Sequence, residues 1–273
     1  MLFDNLIYNT SPIIVHAPGM RFHPDLEQLF HHLCSVLFAE EPRSLGNPPD
    51  TAIVTWNTSD NTSVLQKCLQ LLGIRYYEIK GDPQQWTNYQ KFTKLGKALD
   101  HIKQRFVIGL DAFDVLVLDD LRPLVKWFGQ QDQAGIIFNG EKTFWPHLGP
   151  LHSAYGFEKQ VVPDEACFLN SGVFIARTDF LRERFMPEYT AVNWRQLFPT
   201  QEFFEEQVRL RYGTDALELQ SVKADTDDQL VCHLVYKKLY PQVQVDSKNC
   251  FMQVIKGWAY EAFRIRPATV RPK

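Results

Sequence analysis

Two carboxylates stand in this chain where solvated charges rarely do. The apolar run Arg105-Phe-Val-Ile-Gly-Leu110 leads straight into Asp111-Ala-Phe-Asp114, and a second apolar run, Val115-Leu-Val-Leu118, follows at once. Carboxylates at the carboxyl edge of a parallel strand sit where open α/β sheets bind ligands. A hard divalent cation, Mn²⁺ or Mg²⁺, takes oxygen ligands of this kind and commonly bridges them to a substrate pyrophosphate. Asp is also a favoured turn residue, so from spacing alone a metal site and a turn containing two Asp are both open readings. A second acidic cluster, Asp225-Thr-Asp227-Asp228-Gln229, precedes an apolar helical run through Leu230, Leu234 and Val235. Acids there cap a helix and complement its dipole, although capping needs only one of them. Between the clusters, Asn170-Ser171-Gly172 interrupts the apolar stretch Cys167 to Ala176; the glycine allows either close approach of a ligand or a bulge.

The elements that must position these residues alternate between strand and helix. Ile13-Ile-Val15 reads as a short buried strand ending at His16-Ala-Pro-Gly19, and Leu26, Leu29, Phe30, Leu33 and Leu37 follow at helical spacing. The Pro- and Gly-containing stretch Pro42 to Pro49 is a loop, linker or join. Ala52 to Trp56 predicts a strand, Val64 to Leu72 a helix, Arg75 to Ile79 a strand, Tyr89 to Ile102 a helix, and Phe106 to Leu110 a strand. A helix near Leu121 and a strand at Gly135 to Phe138 come next, then an irregular aromatic stretch to about Pro163. A strand at Gly172 to Ala176 and helices near Phe180, Glu202 and Gln229 complete the pattern. Such alternation argues for an α/β fold with a mostly parallel sheet.

Composition removes several function classes. The 273 residues hold 45% hydrophobic and 22% charged side chains, which is ordinary for a folded globular chain and unlike a disordered or fibrous one. A net charge of −3 supplies no global basic field, so sequence-independent nucleic-acid binding is disfavoured. Five scattered cysteines without a Cys-x-x-Cys pair fit neither a disulfide framework nor a zinc knuckle and read as reduced, packed thiols. No basic leader and no apolar run of ~18–20 residues is visible, so the expectation is a cytoplasmic protein without a membrane span. A Walker loop, a dinucleotide fingerprint, a Gly-x-Ser-x-Gly elbow and His-Glu-x-x-His are all missing from the sequence.

The order of the blocks carries a resemblance. Asp111-Ala-Phe-Asp114, then Ile137-Phe-Asn-Gly-Glu141 through Phe144-Trp-Pro146, then Phe168-Leu-Asn170-Ser171-Gly172, then Asp227-Asp228-Gln229, then Val245-Asp246 with Phe251-Met-Gln253, resembles the glycosyltransferase domain of lysyl hydroxylases and related collagen glycosyltransferases. One block is displaced. The segment Asn5 to Gly19 is similar to the His-containing segment that closes the family's domain, and here it comes first. Circular permutation of one domain spanning 1–273 accounts for this: 1–40 corresponds to the family's C-terminal segment and 50–273 to the rest. Gly257 to Lys273 would then be the strand that leads into the displaced block, and Pro42 to Pro49 the new connection.

The resemblance implies a GT-A fold and transfer of glucose or galactose from a UDP-sugar to an acceptor hydroxyl, with retention of configuration. His16, on its own more often a packed or turn residue, is implied as the third metal ligand with Asp111 and Asp114. Thr55, Trp56 and Trp86 are implied at the uridine, Lys91 at the phosphates or sugar, and Gly19, Asn170, Ser171 and Gly172 along the donor. Asp227, Asp228 and Gln229 would face the reacting sugar and acceptor, and Trp145 would stack on a sugar. Ala17-Pro18 and Phe22 depart from the family's pattern near the phosphates, where Arg21 offers a substitute charge. The acceptor is a glycan, a protein or another hydroxyl compound. A different Mg²⁺- or Mn²⁺-dependent phosphoryl-transfer enzyme and a non-catalytic nucleotide-sugar binder are the competing readings.

Overall fold

The computed structural model describes residues 2–212 and 227–266. Asp225 and residues 267–273, which figure in the expectations above, lie outside them. The first third of the chain forms β1 (Leu2–Asn5), β2 (Ile14–His16), α1 (Pro24–Phe38), β3 (Thr51–Asn57), α2 (Val64–Leu71), β4 (Tyr77–Lys80) and α3 (Gln90–Ala98). The middle forms β5 (Phe106–Asp111), β6 (Val115–Val117), α4 (Arg122–Gly129), β7 (Ile136–Glu141), α5 (His152–Val161) and β8 (Phe168–Arg177). A continuous helical stretch, α6 (Thr178–Phe180), a wider turn at Leu181–Phe185 and α7 (Met186–Ala191), comes next. Then follow α8 (Gln201–Tyr212), α9 (Asp228–Leu239), β9 (Val243–Asp246), β10 (Met252–Val254) and β11 (Phe263–Arg266).

The main sheet runs β4-β3-β5-β8-β7-β10-β2-β6, with β9 also paired to β7. Five of its pairings are parallel and three, β5–β8, β7–β8 and β2–β6, are antiparallel. The architecture is therefore the expected mixed, mostly parallel sheet flanked by helices, in one domain and compatible with GT-A. Its strands are buried on both faces: every residue of β3 and β7 is buried, which explains why they read as continuous apolar runs instead of alternating ones. On one face Phe92 of α3, Phe138 of β7, Phe174 of β8 and Phe185 form an aromatic core, with Phe92 stacked on Phe174 at 5.3 Å between ring centroids. On the other face Leu65 and Leu69 of α2 pack with Leu124 and Phe128 of α4. A third cluster seats α1 against Phe3, Val15 and Phe263. No helix among the described residues is long and apolar enough to cross a membrane.

Three expectations change. The aromatic stretch before Pro163 contains α5, concealed in the sequence because Tyr155, Phe157 and Val161 are only partly buried against the core and Gly156 lowers helix propensity. The strand expected from Gly172 begins at Phe168, so Asn170-Ser171-Gly172 lies within β8 instead of breaking it. The helix expected to reach Ile102 ends at Ala98. Outside the main sheet, β1 pairs antiparallel with β11, placing Leu2 opposite Arg266.

Candidate active site

One edge of the sheet collects the chemistry. Strand β5 delivers Asp111 at its carboxyl end, and β7 delivers Glu141 at its own. Because β8 runs antiparallel to both, its beginning, Asn170 to Gly172, lies at that same edge. Strand β2 pairs antiparallel with β6, with His16 opposite Val115, and the Ala17 amide donates to the Asp114 carbonyl at 2.9 Å. Residues nearly one hundred positions apart in sequence thereby meet. The ligand atoms of His16, Asp111 and Asp114 all lie within 4.8 Å of one another.

This trio fits a divalent cation on its own geometry. The His16 ring is buried, and its Nε2 makes no hydrogen bond, standing 3.5 Å from Asp114 Oδ1. Nδ1 donates to the Asn139 amide oxygen at 3.2 Å, the amide orientation in which Asn139 nitrogen also donates to the Val173 carbonyl at 3.0 Å. That second contact orients the ring and leaves Nε2 free to ligate, as partners of metal-bound histidines do. Burial lowers the imidazole's proton affinity, but the Asp114 and Asp111 charges outweigh it and raise its pKa above the ordinary value. A proton or a cation at Nε2 therefore satisfies the same pair of acids. Gly172 closes the site from behind. A Cβ built there would fall 2.2 Å from His16 Cε1 and 2.9 Å from Asp111 Oδ2, so no larger residue fits without moving a ligand.

Lys91 joins this centre to the second acidic cluster. Its Nζ lies 2.9 Å from Asp111 Oδ1 and 2.9 Å from Asp228 Oδ2, in a side chain only 6% exposed. Desolvation by burial works against the ammonium, but the two carboxylates prevail and raise its pKa far above normal, so Lys91 is charged. Asp111 is itself pushed up to about 6 by burial, a rise that Lys91 restrains and nearby Asp114 adds to. Asp227 caps α9 by accepting the Leu230 amide at 2.9 Å; burial first and Asp228 second push its carboxyl up to about 6. Gln229 donates to Glu141 at 2.6 Å.

These side chains line one cleft. His16, Gly19, Lys91, Asp111, Asp114, Trp145, Asn170, Ser171, Gly172, Asp227, Asp228 and Gln229 all border it. Gly19 takes a left-handed φ of 68°, which turns the chain out of β2 along the cleft wall. Three expected donor residues are not among the lining. Thr55 is wholly buried, Trp56 packs near Phe174 with its indole nitrogen donating to the Lys91 carbonyl, and Trp86 lies over Gly81 with Lys94 near its ring. The Trp56 bond fixes the backbone of Lys91, whose side chain does line the cleft. Phe22, at the departure from the family's pattern, borders the cleft.

Sequence reasoning left out Asn88, Glu141, Thr143 and Lys256, which also line the cleft. Of these, Lys256 carried a signal, since it directly follows Val254-Ile255, whereas Asn139 and Gly140 separate Glu141 from the apolar run before it. Asn88 and Thr143 lie in loops and carried none. Five carboxylates line the cleft against Lys91 and Lys256, so an anionic ligand needs a cation beside it. A family model described as the PLOD glycosyltransferase domain matches residues 57–221, more than half of the chain, and no curated protein matches it.

Proposed function

The chain belongs to the PLOD glycosyltransferase-domain family, and on that premise we propose that it transfers a hexose from a UDP-sugar to an acceptor hydroxyl, with Mn²⁺ or Mg²⁺ and with retention. The observation that carries the reading is the His16, Asp111 and Asp114 cluster in an otherwise acid-rich cleft. These three side chains would hold the cation, which when bound neutralises the donor phosphates and stabilises UDP as it departs. The Lys91 ammonium lies between Asp111 and Asp228, 2.9 Å from an oxygen of each, so one cation offsets both carboxylates. Asp228, held in place by this contact, is suited to orienting an acceptor hydroxyl and to stabilising oxocarbenium-like charge on the sugar side. Asn170 and Ser171 border the donor sugar in this reading, and the Trp145 ring offers the acceptor a stacking face.

The test is UDP release from UDP-glucose or UDP-galactose with Mn²⁺, with Asp114→Ala and Asp228→Ala as controls. Both variants are expected to lose at least about 100-fold in turnover. Binding of UDP-sugar without release would leave a nucleotide-sugar binder, and no metal-dependent binding or release with any common UDP-sugar overturns the reading. A cytoplasmic location belongs to the same proposal, supported by five unpaired thiols; cell fractionation tests it.

The circular permutation is likewise a proposal. What supports it is the β1–β11 pairing, which sets Leu2 beside Arg266, and the coil between α1 and β3, where the family's order would place the ends. A gene that joins the ends and opens the chain between Pro42 and Pro49 is expected to yield a folded protein with the same metal-dependent turnover. An insoluble or inactive product, from a wild type that is active, would count against it.

A further inference from the structure

Behind the cleft, three segments converge on a buried ion pair that the reaction as described does not use. His233 of α9 and Glu158 of α5 are both fully buried, with His233 Nδ1 2.6 Å from Glu158 Oε1. His233 Nε2 lies 2.9 Å from the Trp145 carbonyl oxygen. Both ring nitrogens therefore face acceptors, and only an imidazolium donates from both. The second Glu158 oxygen accepts the Leu169 amide at 2.9 Å, one residue before Asn170. Phe144 stacks on the imidazole with ring centroids 4.1 Å apart. Apart from Glu158, Glu141 at the end of β7 and Asp227 at the cap of α9 interact electrostatically with His233.

A buried ion pair is a weak device for stability, because apolar residues of the same volume often serve as well. Its directed bonds are a better device for fixing positions. Here they tie the segment carrying Trp145 to the helix carrying Asp228 and Gln229, with Gln229 one turn before His233 on α9. They also tie both to the start of β8.

We propose that the His233–Glu158 pair is a positioning clamp that sets Trp145 against Asp228 and Gln229 across the cleft, and so governs turnover and not donor binding. The inference rests on the transferase reading above. The metal ligands and Lys91 lie on other elements, and the Glu158 bond to the Leu169 amide, which seats the donor-side residues Asn170 and Ser171, does not pass through His233, so donor affinity is expected to survive in the His233 variants.

Two conservative variants separate the bonds. In His233→Gln the amide nitrogen replaces Nε2 and still donates to the Trp145 carbonyl, whereas in His233→Asn it replaces Nδ1 and donates only toward Glu158. With UDP-glucose and Mn²⁺, both are expected to keep the donor KM within about twofold, while kcat falls about tenfold in His233→Asn and less than about threefold in His233→Gln. Equal losses in the two variants, or wild-type kcat in His233→Asn, overturn the clamp. Should His233→Asn fail to fold, the double variant His233→Met/Glu158→Gln replaces it: the introduced amide still accepts the Leu169 N–H, no charge is left buried, and the thioether offers the Trp145 carbonyl no donor, so kcat again falls at constant KM, and an unchanged kcat overturns the proposal. If the wild type releases no UDP, the transferase reading fails, and hydrogen exchange across residues 142–148 decides the clamp alone. Faster exchange in His233→Asn than in His233→Gln supports it; equal exchange overturns it.

Discussion

At the scale of single residues, the site depends on contacts too close to tolerate addition. Gly172 has His16 and Asp111 against the place where a side chain would begin. Gly172→Ala is expected to displace one ligand, costing about 1–3 kcal/mol of stability and abolishing the thermal stabilisation that Mn²⁺ is expected to give the wild type; melting curves with and without Mn²⁺ read both. Asp227 gives a pH dependence whose sign follows from its environment. Its folded pKa, about 6, lies above the ordinary 3.8, so the folded state holds the proton more tightly than the unfolded one. The associated stability is fully present below pH ~4 and is lost as pH rises through ~6. Asp227→Asn keeps the cap on Leu230 but not the charge. Its melting temperature is therefore expected to fall less than that of the wild type between pH 4 and 7, by roughly 2 kcal/mol of stability. Identical pH profiles for the two proteins would refute the assignment.

At the scale of elements, α3 carries the residue that ties the two acidic clusters together. Phe92 anchors that helix in the aromatic core, and the Trp56 indole holds the Lys91 carbonyl. Lys91→Met leaves Asp111 and Asp228 without their shared cation and is expected to destabilise the fold by about 3–5 kcal/mol in denaturant unfolding. Most of the elements were legible because buried strands and amphipathic helices announce themselves by continuous and periodic apolar runs. Helix α5 was not, since its aromatic residues are only partly buried against the core, while its Glu158 is fully buried against His233 and Leu169. A pairing of that kind has no sequence period. Strand β8 was read short for a related reason: Asn170 and Ser171 look like loop residues, yet they are buried at a polar cleft.

At the scale of the whole molecule, four of the five thiols are buried, and burial raises the pKa of all five, to about 12 for Cys68. Native protein at pH 8 is expected to react with iodoacetamide at least about tenfold more slowly than the urea-unfolded chain at every cysteine, measured by mass spectrometry. The sequence by itself determined the α/β alternation, the two acidic clusters and the block order that links them to a transferase family. These are properties of neighbours along the chain, and short-range periodicity and motif spacing record them directly. The block resemblance implied His16 beside Asp111 and Asp114, but the residues alone did not, since that meeting depends on β2 pairing with β6 across about one hundred residues of chain, which the tertiary structure supplies. It also decided that Trp56 is a prop for Lys91 and that His233 grips the Trp145 segment. Side-chain direction and burial are set by which strands and helices become neighbours, and that is a property of packing and not of local order.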